Sequence, residues 1–144
     1  MVDTRPFENC KRVIARIWFI GMGIPAALLI WQSVTGHYGQ SAGEVWSWFL
    51  GAVLPTTGLI SAVLGAQAFA RPPTKAQEVD ATFYHWARGA TVVYLLSIWL
   101  VILSPAIRQL PGGFPQAAGD AAFWLTPFQG LVTAALGLFF VQKK

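Results

Sequence analysis

Four stretches of this chain contain no Asp, Glu, Lys or Arg. They are residues 17–43, 45–70, 89–107 and 121–142, with lengths of 27, 26, 19 and 22 residues. A hydrocarbon layer about 30 Å thick is crossed by roughly 20 helical residues rising about 1.5 Å each. Each stretch can therefore cross once, provided the polar segment 32–43 is read as a loop. The spans are expected near 13–31, 45–69, 82–104 and 121–141. Their apolar runs are continuous rather than alternating, which argues against barrel strands.

Composition agrees with this reading. Charged residues make up 11% of the chain and hydrophobic ones 55%, against about 25% charged for a soluble domain. So few charges cannot cover a water-facing surface. A soluble enzyme, a disordered tail and a disulfide scaffold are excluded. The expectation is an all-α polytopic membrane protein, with residues 1–144 forming a single transmembrane domain and the helices an up-down four-helix bundle.

Lys and Arg accumulate on the cytoplasmic side of membrane proteins. Arg5, Lys11, Arg12 and Arg16 flank the first span. Arg71, Lys75 and Arg88 surround the second connection, and Lys143 and Lys144 close the sequence. Nine of the ten basic residues thus share one side, with only Arg108 opposite. Both termini are expected in the cytoplasm, in a bacterial-type inner membrane. The net charge of +4 follows from this asymmetry and suits anionic headgroups, so direct nucleic-acid binding is not expected. Trp18 and Trp86 fall near the inner boundary, and Trp31, Trp46, Trp48 and Trp124 near the outer one. They read as interface anchors, with apolar rings and an N–H seeking a polar partner. The first apolar segment is too long for a signal-peptide core and no cleavage pattern follows, so it is expected to be retained. Cys10, on the cytoplasmic side, is expected to stay a reduced thiol, with acylation the alternative.

Connections 32–43, 70–81 and 105–120 are expected to be loops. Arg71-Pro72-Pro73 should stop the second helix. Pro111-Gly112-Gly113 and Pro115 should leave the third connection non-helical. With connections this short, consecutive helices are expected to pack as antiparallel neighbours.

Between helices in lipid, association comes from close approach at small residues and from hydrogen bonds. Gly51, Gly58 and Gly65 recur every seven residues, with Ala62 beside them, and Gly130 and Gly137 repeat the interval. A seven-residue step returns to within about 20° of its starting direction, so each set forms a seam. These seams are expected to face protein, either each other or another subunit, with Gly23 and Ala27 a weaker pair. Pro25, Pro55 and Pro127 each remove a backbone donor, and Thr56 and Thr57 can bond back near Pro55.

Chemistry-bearing groups are few. Mid-membrane charge, the marker of proton relay or transport, is missing. One cysteine cannot run thiol–disulfide exchange. His37 and His85 fall at opposite faces and cannot ligate one haem, and no metal-ligand spacing occurs. No cofactor and no enzymatic activity are therefore expected. Arg16, Arg71, Lys75, His85 and Arg88 are candidate contacts for anionic headgroups or a soluble cytoplasmic partner. Thr56, Thr57, Thr126, Gln129 and Thr133 are the candidate polar lining of an oligomeric pore or membrane-perturbing effector. The leading expectation is a non-enzymatic subunit, homo- or hetero-oligomeric, serving as anchor, scaffold or signalling component. A reporter domain fused after Lys144 is expected to be active only on the cytoplasmic face; activity on the outer face alone would reverse the orientation.

Overall fold

A computed structural model describes residues 4–69, 78–108 and 113–141. Arg71, Lys75, Lys143 and Lys144, and the proline stop after the second helix, lie outside the described residues. Strand β1 (Thr4–Pro6) leads into helix α1 (Phe7–Val34), and a 3-10 turn (Gly39–Ser41) precedes α2 (Ala42–Phe69). Strand β2 (Glu78–Asp80) leads into α3 (Ala81–Arg108), and α4 (Gly113–Val141) follows. All four helices are long and apolar enough to cross a membrane, which makes this a membrane-embedded protein. At 28 or 29 residues each they reach about 42 Å, the hydrocarbon layer plus its headgroup zones. They therefore overrun the spans that hydropathy alone delimits.

The largest departure is at the third connection. Residues 105–108 and 113–120 are helical rather than loop: α3 runs through Pro105 to Arg108, and α4 starts at Gly113. The Ser104 hydroxyl donates to the Val101 carbonyl at 2.9 Å, the acceptor that Pro105 leaves without its amide. Gly113 takes a left-handed φ of 60°, and Pro115 sits in the first turn of α4, where a missing N–H breaks no helical bond. Phe114, Ala117, Ala118, Ala121 and Leu125 are buried. Their spacing of three and four residues is a helical stripe that begins well before the charge-free stretch.

Helix directions follow from the packing at each end. β1 and β2 pair antiparallel, Thr4 with Asp80 and Pro6 with Glu78, so α1 and α3 both start at this ribbon. Asp80 caps α3, its Oδ1 accepting the Thr82 amide at 2.7 Å. α4 ends here, with the Phe139 ring against Phe7 at 5.4 Å, Phe83 at 6.0 Å and Tyr84 at 6.3 Å. At the far end Phe114 lies 6.0 Å from Tyr38 and 5.3 Å from Trp48. The Trp46 indole there donates to Ser33 at 2.9 Å. Thr35 stops α1 by bonding the Trp31 carbonyl through its amide and its hydroxyl, both at 3.0 Å, and Gly36 follows at φ 73°. The Tyr38 hydroxyl donates to Gln32, and burial pushes its pKa above the ordinary tyrosine value.

α1 packs on α2 and α3, and α4 packs on the same two. Consecutive helices are therefore not all neighbours, as the short connections suggested, since α2 and α3 face each other across the diagonal. The ribbon explains this, because it holds the start of α3 beside the start of α1. Trp18 departs from its expected role as an interface anchor. It is fully buried and stacks on Tyr94 at 6.0 Å and 5°. Its indole N–H finds its partner in Thr57 Oγ1 at 2.9 Å and has no need of a headgroup. Trp31, Trp86 and Trp124 are exposed. Cys10 is buried, so acylating it would require α1 to move.

The close approach between α1 and α3 occurs at Gly21 rather than Gly23. A Cβ on Gly21 would lie 2.6 Å from Leu95 Cδ1, whereas one on Gly23 would meet nothing within 4 Å. Replacing Gly21 by Val is expected to cost about 1–3 kcal/mol through overpacking, measured by denaturant titration in detergent. Gly21→Val combined with Leu95→Ala should recover much of that loss, and Gly23→Val should cost little. Equal effects at Gly21 and Gly23 would contradict this packing.

Candidate functional site

The polar side chains of the spans converge on Pro55. A proline at this position leaves the carbonyl of Gly51, four residues earlier, without its helical donor. In hydrocarbon no water can replace that donor. Here Gln129 of α4 supplies it, with Nε2 lying 2.9 Å from the carbonyl oxygen of Gly51 and 2.9 Å from that of Ala52. The Ala52 carbonyl also accepts the Tyr94 hydroxyl at 2.7 Å, so α3 and α4 hold the same turn of α2 from two directions.

Two further ties lie just beyond it. The hydroxyls of Thr56 and Thr133 are 2.7 Å apart, with Thr56 fully buried. Thr57 donates to the Val53 carbonyl at 2.7 Å while accepting the Trp18 indole N–H. Thus α2 is bonded to all three other helices within about two turns. Among the described residues, every buried side-chain nitrogen and oxygen has a hydrogen-bond partner.

These ties decide where the residues singled out from sequence lie. Thr56, Thr57, Gln129 and Thr133 bond between or within helices of the protomer. Thr126 is exposed on the outside of α4. Turning Ala52 and Thr56 toward α4 and the core rotates Gly51, Gly58 and Ala62 outward, and all three are exposed. A seam joining the α2 glycines to those of α4 does not form within the protomer. A Cβ at Gly51, Gly58, Gly65 or Gly130 would meet nothing within 4 Å, and one at Gly137 would reach only Leu59, at 3.9 Å. The signal for this orientation was in the sequence. Val45, Phe49, Ala52, Val53, Thr56 and Ile60 are the buried positions, and their helical spacing fixes the core face of α2 away from the glycines.

At the ribbon end Arg16, His85 and Arg88 are exposed, whereas Tyr84 turns inward and is buried. The Tyr84-His85-Trp86 run is thereby split between core and surface. Lys11, also in the first turns of α1, is only 4% exposed. Its ammonium lies 3.4 Å from Glu8 Oε1 and 3.9 Å from the centre of the Phe7 ring, a cation–π and ion-pair combination that the basic flank did not reveal. Among the described residues, no three His, Cys, Asp or Glu side chains cluster as a metal site. No protein-family model, curated protein or solved structure matches this chain.

The arrangement braces a proline-interrupted helix. Gln129→Leu removes the side-chain donor of the Gly51 carbonyl and is expected to cost about 1 kcal/mol, within the range for intramembrane hydrogen bonds. Pro55→Ala restores the amide of residue 55 to that carbonyl. Gln129→Leu should then cost measurably less in the Pro55→Ala background, by a double-mutant cycle in detergent unfolding. Strict additivity would show that the amide does not compensate for the proline.

Proposed function

We propose that this protein is a non-enzymatic subunit of a bacterial-type inner membrane, with both termini cytoplasmic. In this reading it assembles with another membrane chain through the outer face of α2 and docks a soluble partner at its ribbon end. The supporting observation is the exposed small-residue face of Gly51, Pro55, Gly58 and Ala62. Small residues let a second backbone approach closely, which is how helices associate where lipid competes on equal terms for apolar contact. The bonds from Gln129 and Tyr94 hold this turn of α2 from within, so the outer face is presented without reorganising the protomer.

The cytoplasmic orientation is supported by the positive-inside rule. Lys11, Arg12, Arg16 and Arg88 occupy the first turns of α1 and α3, the two helices that begin at the ribbon. A soluble partner would meet the exposed Arg12 together with Arg71 and Lys75. Signalling or catalytic output would then belong to the partner. The pore reading has less to draw on, because four of its five lining residues are committed to bonds inside the protomer.

The test is purification in gentle detergent, with the mass of the assembly and the identity of co-purifying chains as readouts. Gly58→Leu should dissociate the assembly by at least about tenfold, roughly 1.4 kcal/mol, without lowering protomer stability. Substituting Arg71 and Lys75 by Gln should release a soluble partner but leave the membrane assembly intact. A wild-type chain that is monomeric under these conditions, or a Gly58→Leu variant that assembles normally, would refute the reading. Conductance after reconstitution that is abolished by Gln129→Leu would favour the pore instead.

A further inference from the structure

Between α1 and α3 runs an open groove of about 410 Å³, walled by Val13, Ile17, Ile20, Leu96 and Trp99 and floored where Leu95 closes on Gly21. Arg16 also lines it, and among the described residues it is the only charged one to do so. Arg88 stands four residues before Val92 and seven before Leu95, which both line the groove, so it lies on the same stripe of α3. Both arginines are exposed, and among the described residues neither has a carboxylate within ion-pair distance. α1 and α3 both begin at the ribbon, and side chains on a helix tilt toward its N-terminus. The two guanidinium groups are thus carried toward the headgroup level, while the apolar walls extend toward the bilayer centre.

We infer that this groove seats one acyl chain of an anionic phospholipid of the cytoplasmic leaflet, with its phosphate held by Arg16 and Arg88. The inference rests on the membrane reading and orientation proposed above, but not on assembly through α2. From Val13 to Ile20, α1 rises about 10 Å, which fits inside one leaflet of about 15 Å of hydrocarbon. Guanidinium is suited to this role because its planar donors grip a phosphate through two bonds at once. Two unpaired guanidinium groups at one groove mouth favour a lipid of net negative charge over a zwitterionic one, whose ammonium or choline they repel. Trp99 marks the deep end of the groove, beside the half of the acyl chain that lies beyond its midpoint.

The experiment is lipid titration of the purified full chain by native mass spectrometry, using phosphatidylglycerol and phosphatidylcholine with identical acyl chains. The wild-type chain should bind phosphatidylglycerol about tenfold more tightly. Arg16→Gln combined with Arg88→Gln should abolish that preference while the protein keeps its helical content. Leu96→Trp, which fills the groove, should weaken both lipids. Phosphatidylglycerol brominated at mid-chain should quench fluorescence from Trp99, an effect that Trp99→Phe removes. Gly58→Leu should leave all of these readouts unchanged, so failure of the assembly reading is separable from failure of this one. Equal affinity for the two lipids, a preference that survives the double arginine substitution, or quenching untouched by Trp99→Phe would overturn the inference. Displacement by inorganic phosphate alone would show that the site takes free anions and not a lipid.

Discussion

A backbone carbonyl in hydrocarbon must find a donor inside the protein, and at Gly51 that donor comes from another helix. Pro55 deprives it of its own helix's amide, and Gln129 supplies another from α4. The neighbouring Ala52 carbonyl, shared by Gln129 and Tyr94, draws α3 into the same knot. Apolar side chains are nearly as well placed against lipid as against one another, so burial alone gives these helices little reason to choose one rotation over another. A few directional bonds around one proline make that choice. Once α2 is turned to present Ala52 and Thr56 inward, its glycines have to face out.

The cost of such an arrangement is that its polar groups are useful only as a set. Thr57 accepts from Trp18 and donates to Val53, Trp18 stacks on Tyr94, and Tyr94 bonds Ala52. This chain of contacts starts on α1, crosses α2 and α3, and returns to α2. Removing Thr57 leaves the Trp18 indole N–H without this partner, in a medium with no substitute to offer.

Much of the architecture was legible from sequence because a membrane reduces the problem to length and charge. Four apolar helices follow from four uncharged stretches. The extents of those helices were less legible, because helix formation continues into the headgroup zone where polar residues are admitted. Charge-free length therefore underestimates α4 by the eight residues 113–120, even though Phe114, Ala117, Ala118 and Ala121 already show its spacing. The glycine seams were visible as a pattern, but their direction was not. A heptad of glycines says that two backbones can approach, and only the competing stripe from Val45 to Ile60 says which side is already taken. Gly21 carries no repeat at all; its role depends on Leu95, 74 positions later, and no local pattern records that. The residues Arg71 and Lys75 of the candidate basic surface remain as the sequence left them.

The ribbon of β1 and β2 bears on how the molecule comes into being. It joins Thr4 to Asp80, so β1 stays without its strand partner until α1 and α2 have been made. Over that interval α1 and α2 form an incomplete pair. The stacking surface of Trp18 is bare, and the Ala52 carbonyl waits for a tyrosine still to be synthesised. The first two helices are therefore made before the third supplies the contacts that hold them in place.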